Sequence, residues 1–272
     1  MLSLVAHRAG PPSLKVKPVS FLESEGSVVN GKLKPASLFA GKVLHLSSML
    51  APREFKQRRS AATYEGLLQA AARVFARRGF EAAQTPEIAA EAGVSTGAFY
   101  RYFTDKRAVF VEVVAQHLRQ SQEEVMARLT PERFVGDGKS SPDKRRAIDL
   151  VLDVLFDRIK RDAELERVYL SMSYSDPDVR TLRAQYEEEG CQALAKLIEV
   201  ITPRAVVPDP AAAARVIGIT AVEIAADRAG LRPRVGAGGS DAAIKAALRE
   251  MLHRYLFPGE AAIAAPPARR KR

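Results

Sequence analysis

A single cysteine, Cys191, is the whole thiol inventory of these 272 residues. It cannot close an internal disulfide, which suits a reducing cytoplasm. No apolar run reaches the roughly 20 residues that span a bilayer, because Arg or Glu interrupts every candidate, residues 211–226 included. The opening MLSLVAHRAGPP lacks a long apolar stretch and a small-residue cleavage site, so no secretory signal is expected. The four histidines (His7, His45, His117, His253) stand far apart, and no His-x-x-x-His or Cys-x-x-Cys spacing occurs. Neither a metal site nor a cofactor is expected. Gly236-Ala237-Gly238-Gly239 lacks a preceding strand and a following Gly-Lys-Ser/Thr, so it reads as a loop rather than a phosphate cradle. No paired carboxylates or nucleophile elbow stand out, and the chain is not expected to be an enzyme. Strand-like alternation is missing from residues 106–200, which points to an all-α chain.

What the chain does carry is basic charge, unevenly spread. Residues 1–50 hold six basic side chains against two acidic, and residues 51–107 hold ten against six. Residues 108–256 hold 22 against 23, and the tail 257–272 holds four against one. The formal excess of +10 therefore lies in the N-terminal third and at the end. A basic helical unit on a neutral helical body fits a phosphate-binding module joined to something that binds another class of partner.

Residues 1–50 contain scattered Gly and Pro without a sustained period and read as a disordered extension. With Met49 just before the organised part, a second reading places residues 1–48 outside the native product. Within them, Val28 to Leu33 carries an Asn-Gly pair that can close a hairpin, although a lone hairpin is marginal in water. Residues 59–119 read as a helix-turn-helix unit, with the motif itself at 84–103. Its first helix runs from about Ser60 to Arg78, with Leu67, Leu68, Ala71, Val74 and Phe75 at helical spacing and Gly79 as its terminator. Thr85 before Pro86 reads as the cap of a second helix whose inward residues are Ile88 and Ala89. Gly93-Val94 makes a turn, Ser95 caps a third helix, and Phe99 and Phe103 face inward. That leaves Thr96, Gly97, Ala98, Tyr100, Arg101 and Tyr102 on an outer face, the arrangement that puts a helix in the major groove of DNA. Thr104 reads as the cap of a fourth helix.

Residues 120–256 read as a helical ligand-binding and dimerisation domain, followed by a basic tail at 257–272. Helices are expected at about 106–129, 143–160, 163–173, 178–200, 210–229 and 241–256, with a break at 131–142. In the helix at 210–229, small residues recur at Ala211, Ala214, Gly218, Ala221 and Ala225. The helix at 241–256 offers a bulky face of Ile244, Leu248, Met251, Leu252 and Tyr255. These seams suit either a homodimer that packs both helices from each chain, or internal packing.

The segment 59–107 resembles the N-terminal domain of the TetR family of bacterial transcriptional regulators. The matching residues are Ala70-Ala71, Phe75, Gly79-Phe80, Ile88-Ala89, Ala92-Gly93-Val94-Ser95, Gly97, Phe99-Tyr100, Phe103 and Lys106. The resemblance implies an N-terminal three-helix helix-turn-helix domain and a C-terminal helical domain. It also implies a dimeric repressor, cytoplasmic and nucleoid-associated, that a small-molecule effector releases from a near-palindromic operator in double-stranded DNA. Position by position it implies phosphate contacts from Thr85, Tyr100 and Lys106. Contacts to base edges or the adjoining backbone are implied for Ser95, Thr96, Gly97, Ala98, Arg101 and Tyr102. Arg101 suits guanine because a guanidinium pairs bidentately with O6 and N7. Arg53, Lys56, Arg58 and Arg59 form a candidate basic arm. Tyr100 and Tyr102 alternatively complete the local core, and Arg101 alternatively stands as a solvated charge. Candidate effector-lining residues are Val114, His117, Leu118, Phe156, Tyr169, Met172, Tyr174 and Tyr186, each of which also reads as ordinary core or surface. A second reading of the whole stays open: a helical ligand-binding or enzymatic body whose N-terminal unit docks a protein. Binding insensitive to salt would mark that alternative, because phosphate contact makes affinity fall steeply with salt.

Overall fold

Apolar side chains recurring every three and four residues fold the described residues into ten helices, with no strand among them. The computed structural model describes residues 58–136, 142–232 and 238–259. In order, the helices are α1 (Arg58–Ala82), α2 (Thr85–Glu91), α3 (Thr96–Phe99), α4 (Lys106–Met126) and α5 (Glu132–Val135). There follow α6 (Lys144–Arg161), α7 (Ala163–Ser175), α8 (Pro177–Ile201), α9 (Pro210–Arg228) and α10 (Asp241–Leu256). The hairpin at residues 28–33, Met49, Arg53, Lys56, Gly236 and the tail from residue 260 lie outside the described residues.

Short polar side chains open most of these helices, as unsatisfied N–H groups require. Ser95 Oγ accepts the Ala98 N–H at 3.1 Å, and Asp143, Asp209 and Ser240 cap α6, α9 and α10 in the same way. Two expected caps move by one residue. The Gln84 carbonyl accepts the N–H of both Glu87 and Ile88, so α2 starts at Thr85 and the threonine is its first helical residue rather than its cap. At α4 the cap is Asp105, not Thr104, with Oδ1 accepting the Ala108 N–H at 2.7 Å. The aspartate adds a charge that favours the helix N-terminus, which threonine lacks. Gly79 has φ 74°, a left-handed conformation that costs glycine little. It breaks α1 there and turns Phe80 back onto Phe75, at 5.8 Å between ring centroids.

Two apolar clusters hold the molecule. The first joins α1, α2 and α3 to the front of α4 and includes Leu67, Val74, Phe75, Ile88, Phe99, Phe103 and Phe110. Phe75 meets Phe110 edge to face at 4.9 Å, and deleting such a ring costs about 3–5 kcal/mol. This cluster also takes in Tyr169 from α7 and Val179 and Leu182 from α8, and α1 packs directly on α7. The second cluster gathers the end of α4, α5, α6, the end of α8, α9 and α10. The expected break at 131–142 contains the one-turn α5, whose Phe134 ring stacks against Phe257 at 6.4 Å. α4 and α8 each run through both clusters and link them.

The two seams near the C-terminus face different surroundings. Ala214, Ala221 and Ala225 are buried in the second cluster, and a Cβ on Gly218 would lie 3.9 Å from Cys191 Sγ of α8. The small-residue stripe thus lets α8 approach α9 within one chain. Val216, Ile219 and Val222 stand exposed on α9, and Met251 and Tyr255 stand exposed on α10, while Leu248 and Leu252 point inward. No helix among the described residues is long and apolar enough to cross a membrane.

Candidate nucleic-acid interface

The turn between α2 and α3 depends on Gly93, whose φ of 68° disfavours side-chain-bearing residues. Its neighbour Val94 packs on the first cluster and ties the two short helices together. α3 itself is regular only over Thr96–Phe99 and continues as tight turns, with Phe99 O accepting the N–H groups of Tyr102 and Phe103. The expected longer helix gives way because both of those rings are drawn under α1. Tyr64 stacks on Phe103 at 5.3 Å and tilts against Tyr102 at 6.3 Å.

That packing corrects one outward residue. Tyr102, expected on the outer face, is half-buried, with its hydroxyl 3.2 Å from Ser60 Oγ of α1. Tyr100 does stand out, 54% exposed, and its hydroxyl donates to Thr85 Oγ1 at 3.4 Å. Thr85 and Tyr100, fifteen residues apart, therefore present their oxygens together on one surface. Ser95 and Arg101 are exposed, and Thr96 and Ala98 are partly exposed beside them. Nothing inside the fold requires glycine at 97, since a Cβ there would meet only Ser95 Oγ at 3.9 Å. The space it leaves is on the outside of the fold.

Among the described residues of 59–107, most of the cations are already engaged. Arg73 and Arg77 of α1 each donate to Glu91 at 2.8 Å, and Arg78 donates to Glu87 at 3.2 Å. The Arg77 and Arg73 hydrogen bonds hold the Glu91 carboxyl below its ordinary range. Lys106 is turned inward: its Nζ donates to the carbonyls of Phe80 at 2.9 Å, Glu81 at 2.8 Å and Ala83 at 3.3 Å. Those acceptors take up the three protons of an ammonium group. The lysine thereby ties the end of α1 to the start of α4. Arg107 is engaged as well, through two bonds to Asp176 (2.6 and 2.9 Å) and one to Asp178 at 2.7 Å. Among the described residues of 59–107, the cations without an ion pair or carbonyl clamp are Arg59 and Arg101.

Of the effector-lining candidates, Val114, Leu118 and Tyr169 are buried in the first cluster, with Met172 and Tyr186 packed against it. Phe156 belongs to the second cluster instead. Tyr174 is 73% exposed and lines no enclosed space; it sits at a surface groove of about 300 Å³ with Arg180 and Arg183. The Arg183 guanidinium lies 5.9 Å from its ring, which keeps the tyrosine at the surface. His117 is buried and polar, 3.0 Å from Glu166 Oε1. Two polar groupings carry no assignment from the sequence. The Arg107–Asp176–Asp178 link joins positions 69 and 71 apart, with no local signal. Arg158 carried a usable one, since it falls on the same helical face as Leu155 and Ile159 and is buried with them.

Comparison with known proteins follows the same division of the chain. The family model described as bacterial regulatory proteins, tetR family, matches residues 67–113. That of the tetracyclin repressor-like C-terminal domain matches residues 145–256. The HTH-type transcriptional regulator YdgC of Bacillus subtilis (strain 168), itself uncharacterised, is 27% identical over 132 residues, covering 48% of this chain and 65% of that protein. The HTH-type transcriptional activator FasR of Mycolicibacterium smegmatis is 29% identical over 126 residues, covering 46% of this chain and 53% of that one. The chain thus spans less than two thirds of the length of either relative. A crystal structure of a TetR-family regulator from Mesorhizobium loti MAFF303099 aligns with TM-score 0.55 at 21% identity. It covers 72% of this chain and 98% of that one, a likeness of fold. The two family models together take in more than half of the residues, and the helix-turn-helix geometry lies within the first of them. The chain belongs to the TetR family of bacterial transcriptional regulators.

Proposed function

We propose that this protein binds a specific double-stranded DNA site and regulates transcription as a homodimer that a small molecule releases. The observation that carries the reading is the surface formed by Thr85, Ser95, Thr96, Gly97, Ala98, Tyr100 and Arg101. It is exposed or partly so, mounted on a rigid aromatic core and shaped by a glycine where a Cβ would fit. In this reading Thr85 and Tyr100 offer hydroxyls to one phosphate, and Arg101 reads a base edge. Tyr102 acts by bracing α3 against α1, touching the backbone at most through its hydroxyl. Lys106 holds the unit in shape. The helix-turn-helix domain is residues 59–119, and the ligand-binding and dimerisation domain is residues 120–256.

Two copies then present α3 to successive major grooves of a near-palindromic operator, about 34–36 Å apart. The exposed apolar residues of α9 and α10 supply the surface that joins them, since a clustered apolar patch on a helical body marks an interface. Release by a ligand requires a coupling that is reciprocal: operator DNA weakens the ligand by the factor that the ligand weakens DNA. FasR, which this chain resembles over part of its length, is named an activator. Release from DNA by the effector is the repressor form of the reading. The role is regulatory, not catalytic, and is exerted at the nucleoid.

The test is to select bound duplexes from random DNA with purified full-length protein and to titrate the best one against salt. Affinity should fall along a straight line in log–log coordinates. Failure to enrich any sequence, with no DNA bound at low salt, would overturn the reading. Binding of a protein partner that ignores salt would favour the docking alternative.

A further inference from the structure

Between the two apolar clusters, three helices meet in a layer that is polar and closed to solvent. α4 contributes His117 and Ser121, α6 contributes Arg158, and α7 contributes Glu166, all of them buried. Arg158 Nη1 donates to Glu166 Oε1 at 2.7 Å and to Ser121 Oγ at 2.8 Å. His117 Nε2 lies 3.0 Å from the same carboxylate oxygen and 3.5 Å from Arg158 Nη1. Ser121 in turn donates to the His117 carbonyl at 2.7 Å. Every one of the arginine's contacts here is made by Nη1, one end of the guanidinium. Arg158 Nε, sealed from solvent, has no acceptor.

Such a layer is a poor way to stabilise a bundle. Replacing a buried ion pair by well-packed apolar residues is often neutral or stabilising. A buried donor without a partner costs about 1–3 kcal/mol, and more when charged. The edge of a guanidinium that bears Nε is also one that holds a planar carboxylate through two parallel hydrogen bonds. Glu166 does not use it. Leu118 and Tyr169 are both buried in the adjoining apolar cluster. Burial pushes the Tyr169 phenol well up, so it keeps its proton and can donate.

Resting on the reading that a small molecule regulates this protein, we propose that the effector is a small carboxylate with an apolar body, whose anion docks on the Nε edge of Arg158. The consequence for DNA follows from the helices involved. Glu166 sits on α7, and α7 packs against α1 of the DNA unit. A carboxylate on the Nε edge shares the charge of the guanidinium with Glu166, loosens the pair at Nη1, and so acts on the helix that supports α1.

The test uses the full-length protein with benzoate and hexanoate as probes and with benzamide and hexanamide as their neutral counterparts. Binding is read by calorimetry and by the thermal midpoint. Each acid should bind about tenfold or more tightly than its amide, because the charge-assisted pair is lost in the amide. Arg158→Met should abolish that preference. Arg158→Lys, which keeps the charge without the fork, should weaken the acids by about tenfold or more. Circular dichroism checks that both variants fold. If neither does, the acid-to-amide ratio on the wild-type chain decides alone. Equal binding of acids and amides, no binding of either acid, or a preference that survives in Arg158→Met overturns the proposal. A parallel release assay on selected DNA separates the two levels. Release by neutral or cationic compounds while carboxylates stay inert removes the carboxylate and leaves the regulator. DNA binding that no compound relieves removes the effector reading itself.

Discussion

Arg101 stands exposed without a counter-ion, whereas Lys106 lies under α1 with three carbonyls on its ammonium. Both charges invite assignment to DNA, and the fold gives them different work. A bidentate guanidinium on guanine discriminates by about 1–3 kcal/mol. Arg101→Ala should therefore weaken the selected duplex by that amount and weaken random duplexes much less. Fluorescence anisotropy on both duplexes measures it, and equal losses would show that Arg101 is a sequence-blind charge. For Lys106→Met the expectation is reversed. Losing the clamp on Phe80, Glu81 and Ala83 should cost about 1–3 kcal/mol of stability in urea unfolding. The salt slope of DNA binding should stay where it was, because a lysine on a phosphate would lower that slope by about one. A lowered slope with unchanged stability would return Lys106 to the phosphate backbone.

Helices and their ends were legible because their signals are local. Gly79, Gly93 and Ser95 act on neighbours within four residues, and each does in the structure what its residue type requires. Where the sequence reading slipped, the competing residue stood next door, as Gln84 beside Thr85 and Asp105 beside Thr104. Partners of a helix face are a different matter. Spacing by three and four places Ala214, Gly218, Ala221 and Ala225 on one side of α9. It does not say that Cys191, 27 positions earlier, fills the groove they make. The same limit hid the inward turn of Tyr102, whose partner Ser60 is 42 residues away. With the small stripe occupied, the face of α9 free for a second chain is the one bearing Val216, Ile219 and Val222. Ile219→Glu should halve the mass seen by sedimentation equilibrium while leaving helix content unchanged. Gly218→Leu should act inside the chain: its bulk forces α8 back, costing about 1–3 kcal/mol as other overpacked cores do. If Gly218→Leu dissociated the protein and Ile219→Glu did not, the stripe would be the interface after all.

Across the whole molecule, the DNA unit and the helical body share a core and an ionic hinge. Arg107 on the first turn of α4 grips Asp176 at the elbow between α7 and α8, and Asp176 also caps α8 through the N–H groups of Asp178 and Val179. Burial alone would raise the Asp176 carboxyl. The Arg107 hydrogen bonds and the two backbone donors outweigh burial and hold it below the usual aspartate range. A carboxyl held low in the folded state binds fewer protons there than in the unfolded chain. Its contribution is therefore complete above the unfolded aspartate value of about 3.9, and it is lost as pH falls through the lower folded value. Arg107→Met removes the grip and lets Asp176 titrate upward. Breaking a fully buried pair costs about 3–5 kcal/mol. Arg107 is 46% exposed in its side chain, so solvent screening brings the expected loss to about 1–3 kcal/mol. Urea unfolding of the two proteins should show that gap at about pH 6 and a shrinking gap toward about pH 3, where protonation undoes the pair in the wild type too. A gap that stays constant over the same range would mean that Arg107 acts by packing alone, and that the hinge between DNA unit and body is not electrostatic.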